Sequence, residues 1–292
     1  MKNLPSPHDL AAGRALLARP LLPLARLAGF LYLTGPFERI AELLGELPDP
    51  IEIGGVLYPQ PAALLQPYLA ILQEFEQFKH PTARPYRIID ESGNELPSME
   101  AIDLWCSHHM LVQELEVINS LLCAPCGCTL CCTGPAVEMD QVFFEIPLHA
   151  AECQRFPLAA IDTEASRATT PYQEPPLRRG DLPFYETAPA LYHWQGGWSL
   201  ILPRNAACPH LEPTGRCRIY PHRPEVCRRP QIFSYVLEAL PAAQANEVTT
   251  YHQARRSLLA VWDCPYVQVL QESIAAFAAA CELTPVFRQN KA

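Results

Sequence analysis

Apolar residues recur at helical spacing over much of the chain, in short segments that prolines separate. Residues 40–47 and 61–80 form two such segments, and the longest pattern extends from Ser98 to Leu122. Apolar positions three and four residues apart are typical of a helix that buries one face. We therefore predict helices over these three ranges, with Ser98 as the N-cap of the longest one.

Alternating apolar and polar residues, which are typical of strands, are less frequent. Residues 142–146 predict a short strand, and residues 191–203 predict a hairpin that turns at Gly196 and Gly197. Three apolar segments follow toward the C-terminus, and we predict all three as helices. These segments are 233–240, 247–264 and 266–283. The predicted fold class is mainly α, an irregular helical fold with loops and a small β-hairpin.

The chain has 292 residues, 49% of them hydrophobic, which is enough for one or two domains with a substantial core. Thirty-one prolines beside 13 glycines predict many helix ends and extended connections. We expect a helical N-terminal region of unknown role over residues 1–100, which contain no cysteine. Residues 101–292 would form a cysteine-cluster domain, with a proline-rich insertion at about 157–190.

A net charge of −9 argues against a general nucleic-acid-binding protein, which would carry a basic surface. Arg19 and Arg26 interrupt the apolar residues 15–35, and prolines break them, so no membrane span is predicted there. The sequence MKNLPSPHDL at the start lacks the basic segment and apolar run of a secretory signal. We therefore expect a cytoplasmic protein whose cysteines are reduced, with no nucleic-acid or membrane partner.

Five cysteines lie within ten residues, in the sequence CAPCGCTLCC at positions 123–132. Cys123 with Cys126, and Cys128 with Cys131, form two C-x-x-C pairs, a spacing that lets two thiolates converge on one metal. The adjacent residues Cys131 and Cys132 suit either a tight turn at one cluster or two neighbouring metal positions. A run this rich in thiols, glycine and proline indicates metal binding rather than a buried apolar stripe.

A second group, Cys208, Cys217 and Cys227, lies in CPHLEPTGRCRIYPHRPEVCRRP, whose prolines and glycine indicate a rigid loop. Five arginines against two glutamates give this loop a local net charge of +3. Guanidinium groups lower thiol pKa values and donate hydrogen bonds to sulfur, so this charge fits a thiolate site. Cys264, between two predicted helices, is a further candidate ligand. We predict the remaining cysteines to be buried free thiols; these are Cys106, Cys153 and Cys281.

Both cysteine segments resemble a bacterial family described as zinc- or iron-chelating, whose hallmark is CxxCxxCC followed by C-P-x-L, G-x-C-x-I-Y and R-P-x-x-C-R. The second segment matches this pattern closely; its matching residues are Cys208, Pro209, Leu211, Gly215, Cys217, Ile219, Tyr220, Arg223, Pro224, Cys227 and Arg228. The first segment departs from it, because four residues separate Cys126 from Cys131 and Cys128 is added. The resemblance covers residues 120–230.

The resemblance implies metal binding, with zinc or iron as the metal. The candidate ligands are Cys123, Cys126, Cys128, Cys131, Cys132, Cys208, Cys217, Cys227 and Cys264. Because these exceed the four ligands of one tetrahedral ion, we predict an iron–sulfur or multinuclear iron centre, with zinc as the alternative. A relative of the family, flagellin lysine N-methylase, implies a second hypothesis, a metal-dependent enzyme that modifies a protein. No catalytic residue, substrate or protein partner follows from the sequence.

Overall fold

The computed structural model describes residues 5–6, 8–80, 82, 84–240 and 249–289. Of these residues, 40% are in helices and 23% in strands, which form four sheets, so the fold is mixed α/β. The predicted mainly α class is therefore wrong. The first two residues of the predicted helix 247–264 lie outside the described residues.

The described residues contain eleven α-helices, most of them one or two turns long. Their bounds are α1 Ala11–Leu17, α2 Leu22–Thr34, α3 Ile40–Glu46, α4 Pro61–Leu65, α5 Leu69–Leu72, α6 Ser98–Cys126, α7 Ala150–Cys153, α8 Glu164–Arg167, α9 Glu225–Arg228, α10 Pro265–Val269 and α11 Gln271–Ala280. Five 3₁₀ helices join them: Gln66–Tyr68, Gln73–Phe78, Leu130–Cys132, Phe184–Glu186 and Tyr220–His222. The predicted helix 40–47 is confirmed, whereas the range 61–80 divides into alternating α and 3₁₀ turns.

Twelve strands form four sheets among the described residues. Their bounds are β1 Ile51–Ile53, β2 Val56–Tyr58, β3 Tyr86–Ile89, β4 Phe143–Leu148, β5 Ala160–Ile161, β6 Arg178–Arg179, β7 Leu182–Pro183, β8 Ala190–Trp194, β9 Gly197–Pro203, β10 Ile232–Ala239, β11 Thr250–Val261 and β12 Thr284–Arg288. One four-stranded sheet has the order β4-β9-β8-β5. The other four-stranded sheet is centred on β11, which pairs with β10 along one edge. Along its other edge, β11 pairs with β3 near its N-terminal end and with β12 near its C-terminal end. Two two-stranded ribbons, β1-β2 and β6-β7, complete the set.

Helix α6 is the longest element, with 29 residues, and it lies between two hydrophobic clusters. Leu111, Leu115 and Ile118 pack into the cluster that also contains β10, β11 and α11. Ile102 and Met110 pack into a second cluster with α2 and α3. A helix that is buried on two sides has apolar residues around much of its circumference. Its N-cap is Pro97 rather than the predicted Ser98, and it continues four residues beyond Leu122, to Cys126.

The two segments predicted as helices over 233–240 and 247–264 are the antiparallel strands β10 and β11. In β10, Ile232, Ser234 and Val236 are buried whereas Phe233 is exposed, so the burial alternates with the period of a strand. Leucine, alanine and arginine in these segments favour helix by propensity, but packing of the sheet against α6 determines the structure. The third segment is helical, as α10 and α11.

The predicted hairpin 191–203 is confirmed as β8 and β9, but its turn consists of Gln195 and Gly196, because Gly197 already pairs with Trp194 as the first residue of β9. On it, the Trp194 indole nitrogen donates a 2.8 Å hydrogen bond to the Ser199 hydroxyl. The predicted strand 142–146 is β4, displaced by one or two residues, and it pairs with β9 along its whole length. This sheet lies directly before the second cysteine segment and fixes where that segment begins.

The apolar N-terminal segment Ala11–Thr34 is long and apolar enough to cross a membrane by length and composition. In the structure it forms two helices, α1 and α2, with Pro20 between them. Leu17 and Leu22 pack beside α6 in one cluster, and Tyr32 packs in the other.

Candidate metal centre

All twelve cysteines are free thiols, and the nine candidate ligands come from three parts of the chain, residues 123–132, residues 208–227 and Cys264. Cys123 and Cys126 lie in the last turn of α6, and Cys128 follows it. Cys131 and Cys132 lie in the 3₁₀ helix Leu130–Cys132. The other candidate ligands are Cys208 and Cys217 in a loop, Cys227 in α9 and Cys264 directly before α10.

Gly127 ends α6 abruptly at the first cysteine segment. Its backbone is left-handed, with φ of 60°, and its N–H points back to the Cys123 carbonyl. A glycine adopts this conformation without a steric cost, which makes it the usual residue after a helix end. The chain therefore reverses between Cys126 and Cys128, and both sulfurs lie on the same side of the turn.

Cys126, Cys128 and Cys264 form a compact group that we call the Cys264 trio. Their three sulfur atoms all lie within 4.8 Å of one another. Cys264 is completely buried, and its carbonyl accepts the N–H groups of Val267 and Gln268 at the start of α10. Helix α10 thus fixes the position of Cys264 against the end of α6.

Backbone hydrogen bonds join the first cysteine segment to the second. The Cys208 N–H donates a 2.8 Å hydrogen bond to the Cys132 carbonyl, and the Gly134 N–H donates one of equal length to Ala206. At Gly134 a Cβ atom would lie 1.8 Å from the Pro203 carbonyl oxygen, so a side chain has no room there. These contacts bring the two segments side by side although about 75 residues separate them in the sequence.

The loop from Cys208 to Cys217 folds back on itself. Leu211 pairs with Cys217, and the Arg218 N–H donates to the His210 carbonyl over 2.8 Å. Gly215 adopts φ of 81°, and a Cβ atom there would lie 3.3 Å from the Gly127 carbonyl oxygen. The turn of this loop therefore lies directly against the end of α6.

Ion pairs hold α9, which carries Cys227, to α6. The Arg228 guanidinium lies 2.5 Å from a Glu116 carboxylate oxygen, and the Arg229 guanidinium lies 3.9 Å from the other oxygen. A third arginine of the second segment, Arg223, also lies near the thiols, as predicted. It is buried, stacks over the Tyr220 ring at 3.8 Å and donates to the Ser120 hydroxyl over 2.9 Å.

Six of the nine candidate thiols interact electrostatically with one another, and we call them the six-thiol group. They are Cys123, Cys131, Cys132, Cys208, Cys217 and Cys227. Burial, and to a lesser extent the neighbouring Cys131 and Cys208, raise the pKa of the Cys227 thiol to about 12 against the opposing effect of Arg223. A hydrogen bond from Cys132 lowers the pKa of Cys131. Without a metal these thiols share protons, and a metal would replace those protons.

The structure also assigns roles to residues for which the sequence predicted none. Asn119 on α6 is 1% exposed, and its side-chain oxygen accepts from Gln231, Ile232 and the Tyr266 hydroxyl over 2.7–3.1 Å. Tyr220 hydrogen-bonds the Cys123 thiol. A polar residue on the stripe of α6 that faces the core was the signal for Asn119 in the sequence.

The remaining cysteines lie elsewhere. Cys106 is buried, and its sulfur lies 3.4 Å from the Ile71 carbonyl oxygen. Cys281 is completely buried at the end of α11, as predicted, whereas Cys153 in α7 is only half-buried, so the prediction of a buried thiol is wrong there. Of the histidines beside the second segment, His210 contacts the Arg155 carbonyl over 2.7 Å through Nε2.

Soft thiolate ligands select zinc, iron–sulfur clusters and similar soft metals, so the fold and site define a polythiolate metal-binding protein. Residues 122–254 match the model of the CxxCxxCC family, described as "Putative zinc- or iron-chelating domain". The match confirms the resemblance of the two motifs to this family over these residues. No curated protein and no solved structure matches the chain. Cys264 lies outside the matched residues.

Proposed function

We propose that the protein holds an iron–sulfur or multinuclear iron centre through the six-thiol group. The observation that carries the proposal is that the 2.8 Å hydrogen bond from the Cys208 N–H to the Cys132 carbonyl joins two cysteine segments that supply six thiols. Among these, Cys131 interacts with Cys123, Cys132, Cys208 and Cys227, and Cys217 interacts with Cys208 and Cys227. A single tetrahedral ion takes four ligands, whereas a centre with several irons uses more metal positions. Zinc is the alternative metal.

The surroundings of the six-thiol group support this proposal. Arg223 places a buried positive charge near the thiols and lowers the pKa values of Cys123 and Cys131 against the effect of burial. Tyr220 and Gln231 lie beside the Cys123 and Cys131 thiols and lower their pKa values, and the Tyr220 hydroxyl is oriented by donating to the Ser120 carbonyl. Positive charge and hydrogen bonds to sulfur stabilise the negative charge of a thiolate centre and tune its potential.

Anaerobic purification followed by metal and acid-labile sulfide analysis tests the proposal. We expect iron and sulfide in the protein, and visible absorbance that dithionite bleaches, because iron–sulfur centres are coloured and redox-active. A colourless protein that holds zinc and no sulfide would contradict the iron proposal.

Cys217→Ser and Cys227→Ser test which thiols hold the centre. Each should lower the iron content and the thermal stability together, because metal binding and folding are coupled in such sites. Cys106→Ser is the matched control, since Cys106 is buried on α6 but lies outside both groups of thiols. Full iron retention in both variants would refute the ligand assignment.

We also propose a cytoplasmic location, because a reducing compartment keeps cysteines as free thiols. The twelve free cysteines support this, as does the burial of α1 and α2 residues in the two clusters. Fractionation of cells that express the tagged protein tests it: recovery in the membrane or periplasmic fraction would contradict the proposal.

A further inference from the structure

The Cys264 trio differs from the six-thiol group in its compactness and in its partners. All its sulfurs lie within 4.8 Å of one another. Thiolates around one tetrahedral ion, at a metal–sulfur distance of about 2.3 Å, are separated by about 3.8 Å. Small side-chain movements would therefore bring the trio to the spacing of a single ion.

The interactions of the trio are mainly internal. The Cys264 thiol interacts with Cys126 and Cys128, whereas the Cys227 thiol interacts with Cys131, Cys208 and Cys217. The chain also separates the two groups, because the 3₁₀ helix Leu130–Cys132 directs its cysteines toward the Cys208 segment. The two groups meet at the last turn of α6, where Cys123 of the six-thiol group also interacts with Cys126 of the trio.

Backbone groups donate hydrogen bonds to two sulfurs of the trio. The Cys126 sulfur accepts from the N–H groups of Cys128 and Tyr266, and the Cys128 sulfur accepts from the N–H of Leu130. N–H donors aimed at sulfur stabilise a thiolate and fix its orientation around a metal. This arrangement is independent of the sulfur–sulfur spacing and points to the same kind of site.

The trio supplies three ligands. Across the described residues, no histidine, carboxylate or further cysteine joins it within the same spacing. A catalytic or exchangeable zinc site has three protein ligands and an open fourth position, whereas a structural one has four. A fourth ligand of the trio would therefore come from solvent or from a small added ligand.

We propose that Cys126, Cys128 and Cys264 form a second, separate metal site, which binds one zinc ion and leaves its fourth position open to water or a small ligand. This inference rests on the proposed function, since it assumes that the thiols of this protein bind metal. It adds a ligand, Cys264, from beyond the residues that match the CxxCxxCC family.

Metal analysis of four variants, each compared with the unaltered protein, tests whether the two sites are separate. Cys264→Ser should lose one zinc per chain and keep its iron and sulfide, whereas Cys227→Ser should lose iron and sulfide and keep one zinc. Cys281→Ser should match the unaltered protein, because Cys281 is as buried as Cys264 and packs in the same cluster, outside the trio. Cys128→Ser, at a half-buried residue, should repeat the zinc loss even where Cys264→Ser fails to fold.

Parallel loss of all metal in Cys264→Ser, Cys128→Ser and Cys227→Ser would overturn the inference in favour of one shared centre. Full zinc retention in the first two would also overturn it. If the protein holds only zinc, the iron proposal fails, but the same variants still test the inference. Cys264→Ser and Cys128→Ser should then lose the zinc of the trio, Cys227→Ser should lose the zinc of the six-thiol group, and the double variant of Cys264 and Cys227 should lose both.

The open position has its own test. Cobalt-substituted Cys227→Ser protein should change its visible spectrum when imidazole is added, because the new ligand enters the coordination shell of the ion. A spectrum unaffected by imidazole and by added thiol would contradict an open fourth position.

Discussion

Asn119 joins the helix that carries the first thiols to the segment that follows Cys227. Its amide nitrogen donates to the carbonyls of Arg229 and Ile232 over 2.9 and 2.6 Å, and its oxygen accepts from three further groups. Removing a buried side chain with five hydrogen-bond partners costs free energy, although the Gln231 N–H and the Tyr266 hydroxyl would keep a hydrogen bond to each other. This one residue therefore fixes α6 relative to β10.

Asn119→Ala should lower the free energy of unfolding by about 3–5 kcal/mol, because several buried backbone groups lose their partners. Chemical denaturation measures the change. Asn94→Ala is the control: Asn94 lies in an exposed turn, where its side chain contacts Asp90. A loss at Asn119 no larger than that at Asn94 would contradict the role of this residue.

Glu114 is a buried carboxyl group on α6, 5% exposed, and one of its oxygens accepts from the Leu21 N–H over 3.0 Å. Burial raises its pKa to about 8, although the Leu21 hydrogen bond lowers it. In the unfolded chain the group has its ordinary pKa, so between these two values the unfolded state releases a proton that the folded state keeps. Stability should therefore fall as the pH rises from about 5 to about 8.

Glu114→Gln should remove this part of the pH dependence, because the amide does not titrate. Thermal unfolding across this pH range, compared with the exposed control Glu46→Gln, measures the effect. Identical pH profiles for the unaltered protein and Glu114→Gln would show that burial of Glu114 does not couple folding to protonation.

At the scale of elements, the close approach at Gly134 determines how the two cysteine segments meet. The Gly134 backbone lies against the Pro203 carbonyl at the end of β9, in space that a Cβ atom would occupy. The hydrogen bond between Cys208 and Cys132 lies next to the one between Gly134 and Ala206: Cys132 is two residues before Gly134, and Cys208 is two residues after Ala206. The end of β9 therefore places the second segment beside the first.

Gly134→Ala should destabilise the protein by about 1–3 kcal/mol and lower its metal content, because the backbone must shift away from Pro203. Gly45→Ala is the matched control, since Gly45 lies in α3 with open space around its Cα. That control should be neutral or slightly stabilising. Unchanged metal content and stability in Gly134→Ala would rule out the close approach as a determinant of the site.

Among these elements, the sequence predicts those that depend on local spacing and misses those that depend on pairing between distant strands. The family motifs and the hairpin 191–203 depend on local spacing, and both are confirmed. Strands β10 and β11 were mistaken for helices, because their leucine, alanine and arginine content resembles that of an amphipathic helix. Their strand structure depends on pairing with each other and with β3 and β12, which are distant in sequence.

The grouping of the thiols was equally inaccessible to sequence reasoning. Cys126 and Cys264 are separated by more than one hundred residues, and only the path of β11 and α10 brings them together. Spacing alone paired Cys128 with Cys131, whereas the structure places Cys128 with Cys126 and Cys264. The ligand set itself stays a prediction that metal analysis of the variants tests.

At the scale of the whole molecule, the thiols lie where two parts of the fold meet. Cys123, Cys126 and Cys128 pack against the cluster around α6 and β11, and Cys208 packs against the β4-β9-β8 sheet. A metal bound both by thiols of the first cluster and by Cys208 would connect these two parts of the fold. We therefore expect metal binding to stabilise the folded chain as a whole.

Removal of the metal by a chelator under anaerobic conditions should lower Tm by about 5–15 °C, because the free energy of metal binding adds to that of folding. Differential scanning calorimetry measures the shift, and reloading with metal should restore it. An unchanged Tm after complete metal loss would show that the site is independent of the stability of the fold.

The most direct test of the central claim is X-ray absorption spectroscopy of the anaerobically purified protein at the iron and zinc edges. We predict a first shell of sulfur atoms at about 2.3 Å around the bound metal, with an iron neighbour at the iron edge. A first shell of oxygen and nitrogen atoms at both edges would contradict metal binding by the cysteine thiolates.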